Sequence, residues 1–430
     1  MKVLKINTLK GIFLLSFLAC FSFSIHSQSN TNSPYTWYGY GQIADQSSAA
    51  QRAMGGIGYG LRSSQLINPL NPASFSAVDS LTFMLDFGIS GKLGWFEQGT
   101  DGAKAQKYNA GLEYVVMQFP LAKGLGLGLG FTPVTFVGYK FGNDSILPSG
   151  TTMYNRHTGS GGLSKVYAAL SYRITKDFSA GVNIGYMFGD KTRDKSSVPS
   201  SNASTNISGD TLQVRALTYE LGIQYRFPVN KTTEWIIGAV YTPKTKIGAT
   251  TMHGEAKYDS NGYITGIPTY SSSNDLVFQF PETYAAGFTY HKLNKLTAGA
   301  DFQYQRWAAA KFYDETNALN DRMKINAGVE YIPNIMNNKL FNRIRYRAGV
   351  YYSNSYVKIE GSGYQDRKYD DFGASLGLGI PMNDRRSFVN LAFQYSMLRP
   401  DVSAYIKEQY FKFTISYTYN ELWFMKRKLQ

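Results

Sequence analysis

The stretch RAMGGIGYGLRSSQLINPLNPASFSAVDSLTFMLDFGIS, residues 52–90, changes character halfway along. Its first part is rich in glycine, serine and proline and has no steady period. From residue 81 it alternates: Leu81, Phe83, Leu85, Phe87 and Ile89 fall on one face, and Thr82, Met84, Asp86, Gly88 and Ser90 on the other. Side chains on a strand point to opposite faces with period two, so this is a β-strand with one apolar face. An irregular, kink-rich segment precedes it and needs an explanation.

The alternation recurs along the chain. Leu125, Leu127, Leu129 and Phe131 alternate with glycines 124, 126, 128 and 130. Phe178, Ala180, Val182, Ile184, Tyr186 and Phe188 do so with Ser179, Gly181, Asn183 and Gly185. Leu217, Tyr219, Leu221, Ile223, Tyr225 and Phe227 oppose Glu220, Gln224 and Arg226, and Phe411, Phe413, Ile415, Tyr417 and Tyr419 oppose Lys412, Thr414, Ser416 and Thr418. Segments of about ten residues are long enough to cross a bilayer at a tilt.

Six short connections (residues 120–124, 175–177, 228–234, 292–295, 333–342 and 383–386) alternate with seven long ones, centred on 95–106, 141–161, 190–210, 244–275, 313–320, 359–369 and 399–406. The expected fold is therefore all-β: a transmembrane antiparallel β-barrel of about 14 strands, with periplasmic turns and extracellular loops. In hydrocarbon every backbone N–H and C=O must pair within the protein, so a sheet spans only when it closes. Trp95, Trp235 and Trp423 keep the lipid-facing phase near strand ends, where an aromatic girdle belongs. A soluble β-sandwich also alternates, but its strands are shorter and its connections do not sort by length.

The first residues read as an export signal. Lys2, Lys5 and Lys10 precede an apolar core, residues 12–23, too short to span a bilayer, with cleavage expected after Ser27. The one cysteine, Cys20, lies inside this core, and the apolar run through Phe21 and Phe23 argues against its lipidation. The mature chain then carries no thiol and forms no disulfide. No run reaches ~20 consecutive apolar residues, so no transmembrane helix is expected. The net charge of +14, less three leader lysines, leaves +11. In an exported chain that balance points to anionic headgroups or solutes and not to nucleic acid. The expected domains are a signal peptide (1–27), a plug (28–79), the barrel (80–420) and a periplasmic tail (421–430), in the outer membrane of a Gram-negative cell.

The plug follows from width. A barrel of about fourteen strands is too wide for its own side chains to fill. The glycines at 55, 56, 58 and 60 and the prolines at 69 and 72 suit a compact, turn-rich domain inside it.

RAMGGIGYG (52–60) followed by NPLNPASFSAVDS (68–80) resembles the N-terminal hatch of FadL/TodX-type hydrophobic-compound transporters. That family's Asn-Pro-Ala signature matches Asn71, Pro72 and Ala73, with Gly55, Gly56 and Gly58 ahead of it. FPLAKGLGLGLGFTPVTFVGY (119–139) is similar to the family's second turn and third strand. FQFPETYAAGFTYHKLNKLTAGADFQYQRW (278–307) is similar to its later hairpin, with Pro281, Gly287, Asp301 and Trp307 at the characteristic places. The resemblance implies a passive channel for hydrophobic or amphipathic small molecules such as long-chain fatty acids, released sideways at a kink in the third strand. Pro133, flanked by Gly130 and Gly138, is where this sequence would place that lateral port, because proline donates no ladder hydrogen bond.

The segments 191–210 and 250–275 depart from the family: they are polar and serine-rich where it presents an apolar capture groove. The opening segment also resembles that of PorV-type barrels, relatives in type IX secretion that bind exported proteins. A protein-binding scaffold, or a structural or adhesin barrel, is therefore the competing expectation.

Catalysis has little to stand on. His157, His253 and His291 fall in loops and a turn, with no Ser/His/Asp or metal-type spacing. GGIGYG is followed by neither the basic residue nor the helix of a phosphate loop. No enzyme activity, metal or cofactor is expected. The inner phase does carry charge: Arg343, Arg345 and Arg347 on one strand, and Arg322, Lys324 and Glu330 on the one before. Glu330 and the lower arginines are placed to pair across strands. Arg322, Lys324 and Arg347, further up, are the candidates to meet an anionic headgroup. The expected partners are outer-membrane lipids and a hydrophobic or anionic amphipathic ligand, with the chain a monomer.

Overall fold

The computed structural model describes residues 30–423 apart from 100–101, 201–203, 260, 262 and 362–363, so the expected signal peptide and most of the expected tail lie outside the described residues. Fourteen antiparallel strands follow one another around a closed barrel. They are β1 (Thr82–Glu97), β2 (Lys104–Ala122), β3 (Leu125–Ile146), β4 (Thr152–Arg173), β5 (Phe178–Pro199), β6 (Thr205–Pro228) and β7 (Thr233–Thr242, continued by Thr245–Tyr258). The second half comprises β8 (Thr269–Ser273, Phe278–Phe280 and Thr283–Lys292), β9 (Leu296–Gln305), β10 (Arg322–Tyr331), β11 (Arg345–Asn354), β12 (Tyr369–Pro381), β13 (Phe388–Pro400) and β14 (Lys407–Leu422). β14 closes on β1 from Thr82↔Leu422 to Glu97↔Lys407. The barrel thus runs to Leu422, two residues past the expected boundary.

The phases fall as the alternation dictates. Met84, Asp86 and Gly88 are buried inside while Leu85, Phe87 and Ile89 face outward. Trp95, Trp235 and Trp423 are exposed on the outer wall.

Two expectations need correction. Much of the supposed loop at 141–161, 190–210 and 244–275 is sheet, because β3 to β6 run 22–24 residues and β7 and β8 extend through Thr245–Tyr258 and Thr269–Ser273. A tilted crossing needs only ~9–11. Beyond the apolar band both faces meet polar surroundings, so period two fades from the sequence while backbone pairing continues. Arg343 also does not share a strand with Arg345 and Arg347. It ends a one-turn helix, Leu340–Arg343, in the connection before β11.

The opening segment packs against the inner wall. It holds the one-turn helix Ala49–Arg52, started by a capping box between Ser48 and Gln51, and a 3-10 helix, Pro72–Ala77. Seven strands present it with glycines. A Cβ at Gly126 would meet the Phe75 carbonyl, at Gly181 Pro72, and at Gly222 the Asn71 side chain. At Gly238 it would meet the Tyr59 carbonyl, at Gly328 Met54, at Gly349 Gly55 and at Gly377 Ala53. Toward the long-loop end, Tyr35 and Tyr40 join Trp307, Tyr356 and Phe278 in a buried apolar cluster. Trp307 and Tyr356 have ring centroids 4.6 Å apart, and Tyr40 stacks on Phe280 at 4.9 Å.

Candidate functional site

The wall is interrupted between β2 and β3. They pair from Ala122↔Leu125 up to Val115↔Phe131 and no further. Above that point β2 keeps only β1, and β3 keeps β4. Each strand carries a bulge where they part. Glu113 is the extra residue of β2 opposite Gly88 and Ile89, and Val134 is that of β3 opposite Ser164 and Leu163. A bulge increases local twist and re-aims a side chain. Pro133, next to Val134, has no N–H to offer a neighbour.

The opening segment takes the place that β2 vacates. Gln42 and Ile43 pair antiparallel with Phe136 and Thr135. The Ala44 amide donates to the Val134 carbonyl at 2.9 Å, and the Gly138 amide to Thr36 Oγ1 at 3.2 Å. On the β2 side, Asn32 Nδ2 donates to Asn109 Oδ1 at 2.6 Å. The result is a slot in the wall. At Gly130 the missing Cβ makes room for the Tyr167 ring.

Both edges of the slot, Asn109, Ala110 and Glu113 on one side and Val134, Thr135 and Phe136 on the other, line a lumen cavity of about 280 Å³. Most of the charged side chains around it are paired. Glu113 is held by Arg52, Lys412 at 2.6 Å and Ser90. Lys165 pairs with Glu220, and Lys324 lies 4.0 Å from Asp45. Burial alone would raise the Asp45 carboxyl, but Lys324, Arg52 and the Ser47 hydroxyl and amide together hold it below the ordinary carboxylate range. Asp301 accepts the Gly58 and Tyr59 amides at 2.6 and 3.0 Å, tying the opening segment to β9.

Like Asp301, which is held by amides alone, three other cavity charges have no opposite charge in ion-pair range among the described residues. Lys92 Nζ lies 4.0 Å from the Tyr410 ring centroid and 3.4 Å from Gln42 Oε1. Arg322 donates to Gln305 Oε1 at 3.2 Å. Asp371 accepts the Tyr351 hydroxyl at 3.2 Å.

Of the expected headgroup residues, Arg322 and Lys324 reach the cavity and Arg347 does not. Arg347 is buried against the wall, donating to Glu330 at 2.7 Å and to Asn390 at 2.8 Å, with Arg345 on the other side of Glu330 at 3.1 Å. Its charge is already answered. In the hatch motif, Asn71 caps the 3-10 helix by accepting the Ala73 amide at 3.0 Å, and donates to the Tyr59 carbonyl at 2.8 Å. Gly55 and Gly56 adopt φ of 69° and 86°, the region that favours glycine. Sequence reasoning missed Lys92 and Asp371. The signal was there, in inward-phase charges on β1 and β12, but nothing in the sequence shows that they lack an ion pair.

The BamG family model matches residues 9–430. The chain belongs to the BamG family. No curated protein matches it. Solved structures do resemble this BamG family chain. The Pseudomonas putida toluene transporter TodX matches at a TM-score of 0.60 and 15% identity, covering 89% of this chain and 98% of TodX. A Pseudomonas aeruginosa FadL homologue matches at 0.58 and 12%, covering 88% and 99% of the two chains. The Ralstonia pickettii toluene transporter TbuX matches at 0.57 and 14%, covering 86% and 97%. At these identities the likeness is one of fold: this BamG family member is a FadL-like barrel.

Proposed function

We propose that this BamG family member is an outer-membrane channel through which small amphipathic molecules pass sideways between the lumen and the bilayer. Residues 28–79 act as its plug and the short turns lie in the periplasm. The observation that carries this reading is the β2 to β3 ladder ending at Val115↔Phe131 beside a cavity. A solute gains roughly 25 cal/mol per Å² of apolar surface kept from water, so a sideways path retains what release into the periplasm would forfeit. The freed strand edges face the plug and a polar cavity, which is the condition for irregular backbone at membrane depth. The charged cavity favours cargo with a polar head, fatty acids among them, over bare hydrocarbon.

The Asn32 to Asn109 contact offers a lock. In the double variant Asn32→Cys, Asn109→Cys, oxidation should tie the plug to β2 across the slot. Uptake of a fluorescent fatty acid into proteoliposomes should then fall to the protein-free rate and recover with reductant. Uptake indifferent to oxidation would reject the side route.

A second reading has one observation behind it. Tyr263, Ile267 and Tyr270 stand exposed between and on the two strands that extend beyond the barrel at the β7 to β8 hairpin. Exposed aromatic and aliphatic side chains of this kind suit a protein partner. Changing all three to serine should abolish co-purification of such a partner and leave uptake intact.

A further inference from the structure

Lys92, Arg322 and Asp371 stand on β1, β10 and β12 around one cavity, each without an opposite charge in ion-pair range. Lys92 sits in a cross-strand row with Lys412 on β14 and Asn109 on β2, one strand from the slot. Like charges directly opposite repel. Glu113 pairs with Lys412 at 2.6 Å, which leaves the Lys92 ammonium without an ion pair of its own beside the Tyr410 ring. Arg322 has one donor engaged at Gln305, and a guanidinium has five. Asp371 accepts a single hydroxyl, and at one oxygen only. With Asp301 taken up by the Gly58 and Tyr59 amides, the cavity offers two cations and one carboxylate to whatever enters. Outside, the β2 rim of the slot is apolar: Tyr108 and Leu112 are both exposed.

We propose that the cavity takes the zwitterionic headgroup of a membrane amphiphile, an ammonium together with a phosphate or carboxylate, which enters through the slot and leaves its acyl chains in the bilayer. Lys92 and Arg322 hold the anionic group and Asp371 the ammonium. A neutral head leaves all three without an ion-pair partner, and a purely anionic head meets Asp371 with a like charge. This deepens the side-route reading by naming the cargo, and it rests on that reading for access.

Native mass spectrometry of the detergent-solubilised full chain tests it, with phosphatidylethanolamine, phosphatidylglycerol, diacylglycerol and soluble phosphoethanolamine offered separately. Phosphatidylethanolamine should be retained at least tenfold better than phosphatidylglycerol, with diacylglycerol lost. Asp371→Asn should bring the two phospholipids level, and Lys92→Gln should lower both. Heat-modifiable gel mobility confirms that each variant is folded. Equal retention of all three lipids, or a preference untouched by Asp371→Asn, would overturn the proposal. Soluble phosphoethanolamine binding as tightly as the lipid would overturn its membrane source. The cysteine lock separates the two readings. Blocked uptake without a headgroup preference leaves the route standing and removes this inference, whereas a preference with uptake indifferent to the lock does the reverse.

Discussion

Arg52 is a fully buried guanidinium, and everything around it is arranged to answer its charge. It donates to Glu113, to the Ser47 carbonyl at 3.0 Å and to the Asp45 carbonyl at 2.6 Å. Removing one partner of such a pair strands the other in the interior, at a cost of about 3–5 kcal/mol. Arg52→Met should therefore lower the temperature of the heat-modifiable gel transition markedly. Arg52→Lys should recover little, because a point ammonium cannot reach three acceptors in different directions. An unchanged transition in both would show that Lys412 alone satisfies Glu113. Glycine works at the same scale by omission. A Cβ at Gly349 would strike the Gly55 backbone, whose amide donates to Ser375 Oγ at 2.9 Å. Gly349→Val should push residues 53–56 off the wall and raise cleavage within the segment in limited proteolysis. Unaltered cleavage would mean that the wall yields in place of the segment. These glycines were visible in the sequence as the small half of an alternation. Their reason for being small was not, because it is a contact with residues far away along the chain.

At the scale of the strand, β3 combines a proline, a bulge and a borrowed neighbour. Pro133 was legible as a residue that breaks pairing. The Val134 bulge and the pairing of Gln42 and Ile43 with Phe136 and Thr135 were not, since register across non-neighbouring segments leaves no local mark. Changing Pro133 to valine alone restores one N–H but leaves the bulge and the register. The informative variant is Pro133→Val with Val134 deleted, which removes the bulge of β3 against β4 and frees the strand to continue straight beside β2 past Phe131. Uptake should slow toward the protein-free rate while the gel transition stays where it was. Unchanged uptake in a folded variant would show that cargo does not use this slot. Gly130 is best left alone, because its Cβ would meet the Tyr167 ring and confuse packing with transport.

The whole molecule is a wide barrel with its opening segment held at the wall and an aromatic cluster toward the loop end. Without the segment, strand side chains leave a barrel of this width open. Deleting residues 28–72 should produce large single-channel conductance in planar bilayers. It should also lower the gel transition, since the buried contacts of Arg52, Asn71 and Asp301 go with it. A folded deletion protein that conducts no more than the intact chain would refute the plug.

Period two, strand length, the sorting of turns from loops and the girdle tryptophans each state a local relation between a side chain and the medium on its side of the sheet. That is why the all-β class, the strand count and the outward-facing residues of β1 follow from the sequence by itself. Partnership is not local. Whether Arg347 is free or answered by Glu330 and Asn390, whether Lys92 has a counter-ion, and whether β2 and β3 stay paired past Phe131 depend on strands brought together only when the sheet closes. Closure sets the cross-strand register and the fit of the opening segment, so the tertiary structure alone decided which charges face the cavity and where its wall opens.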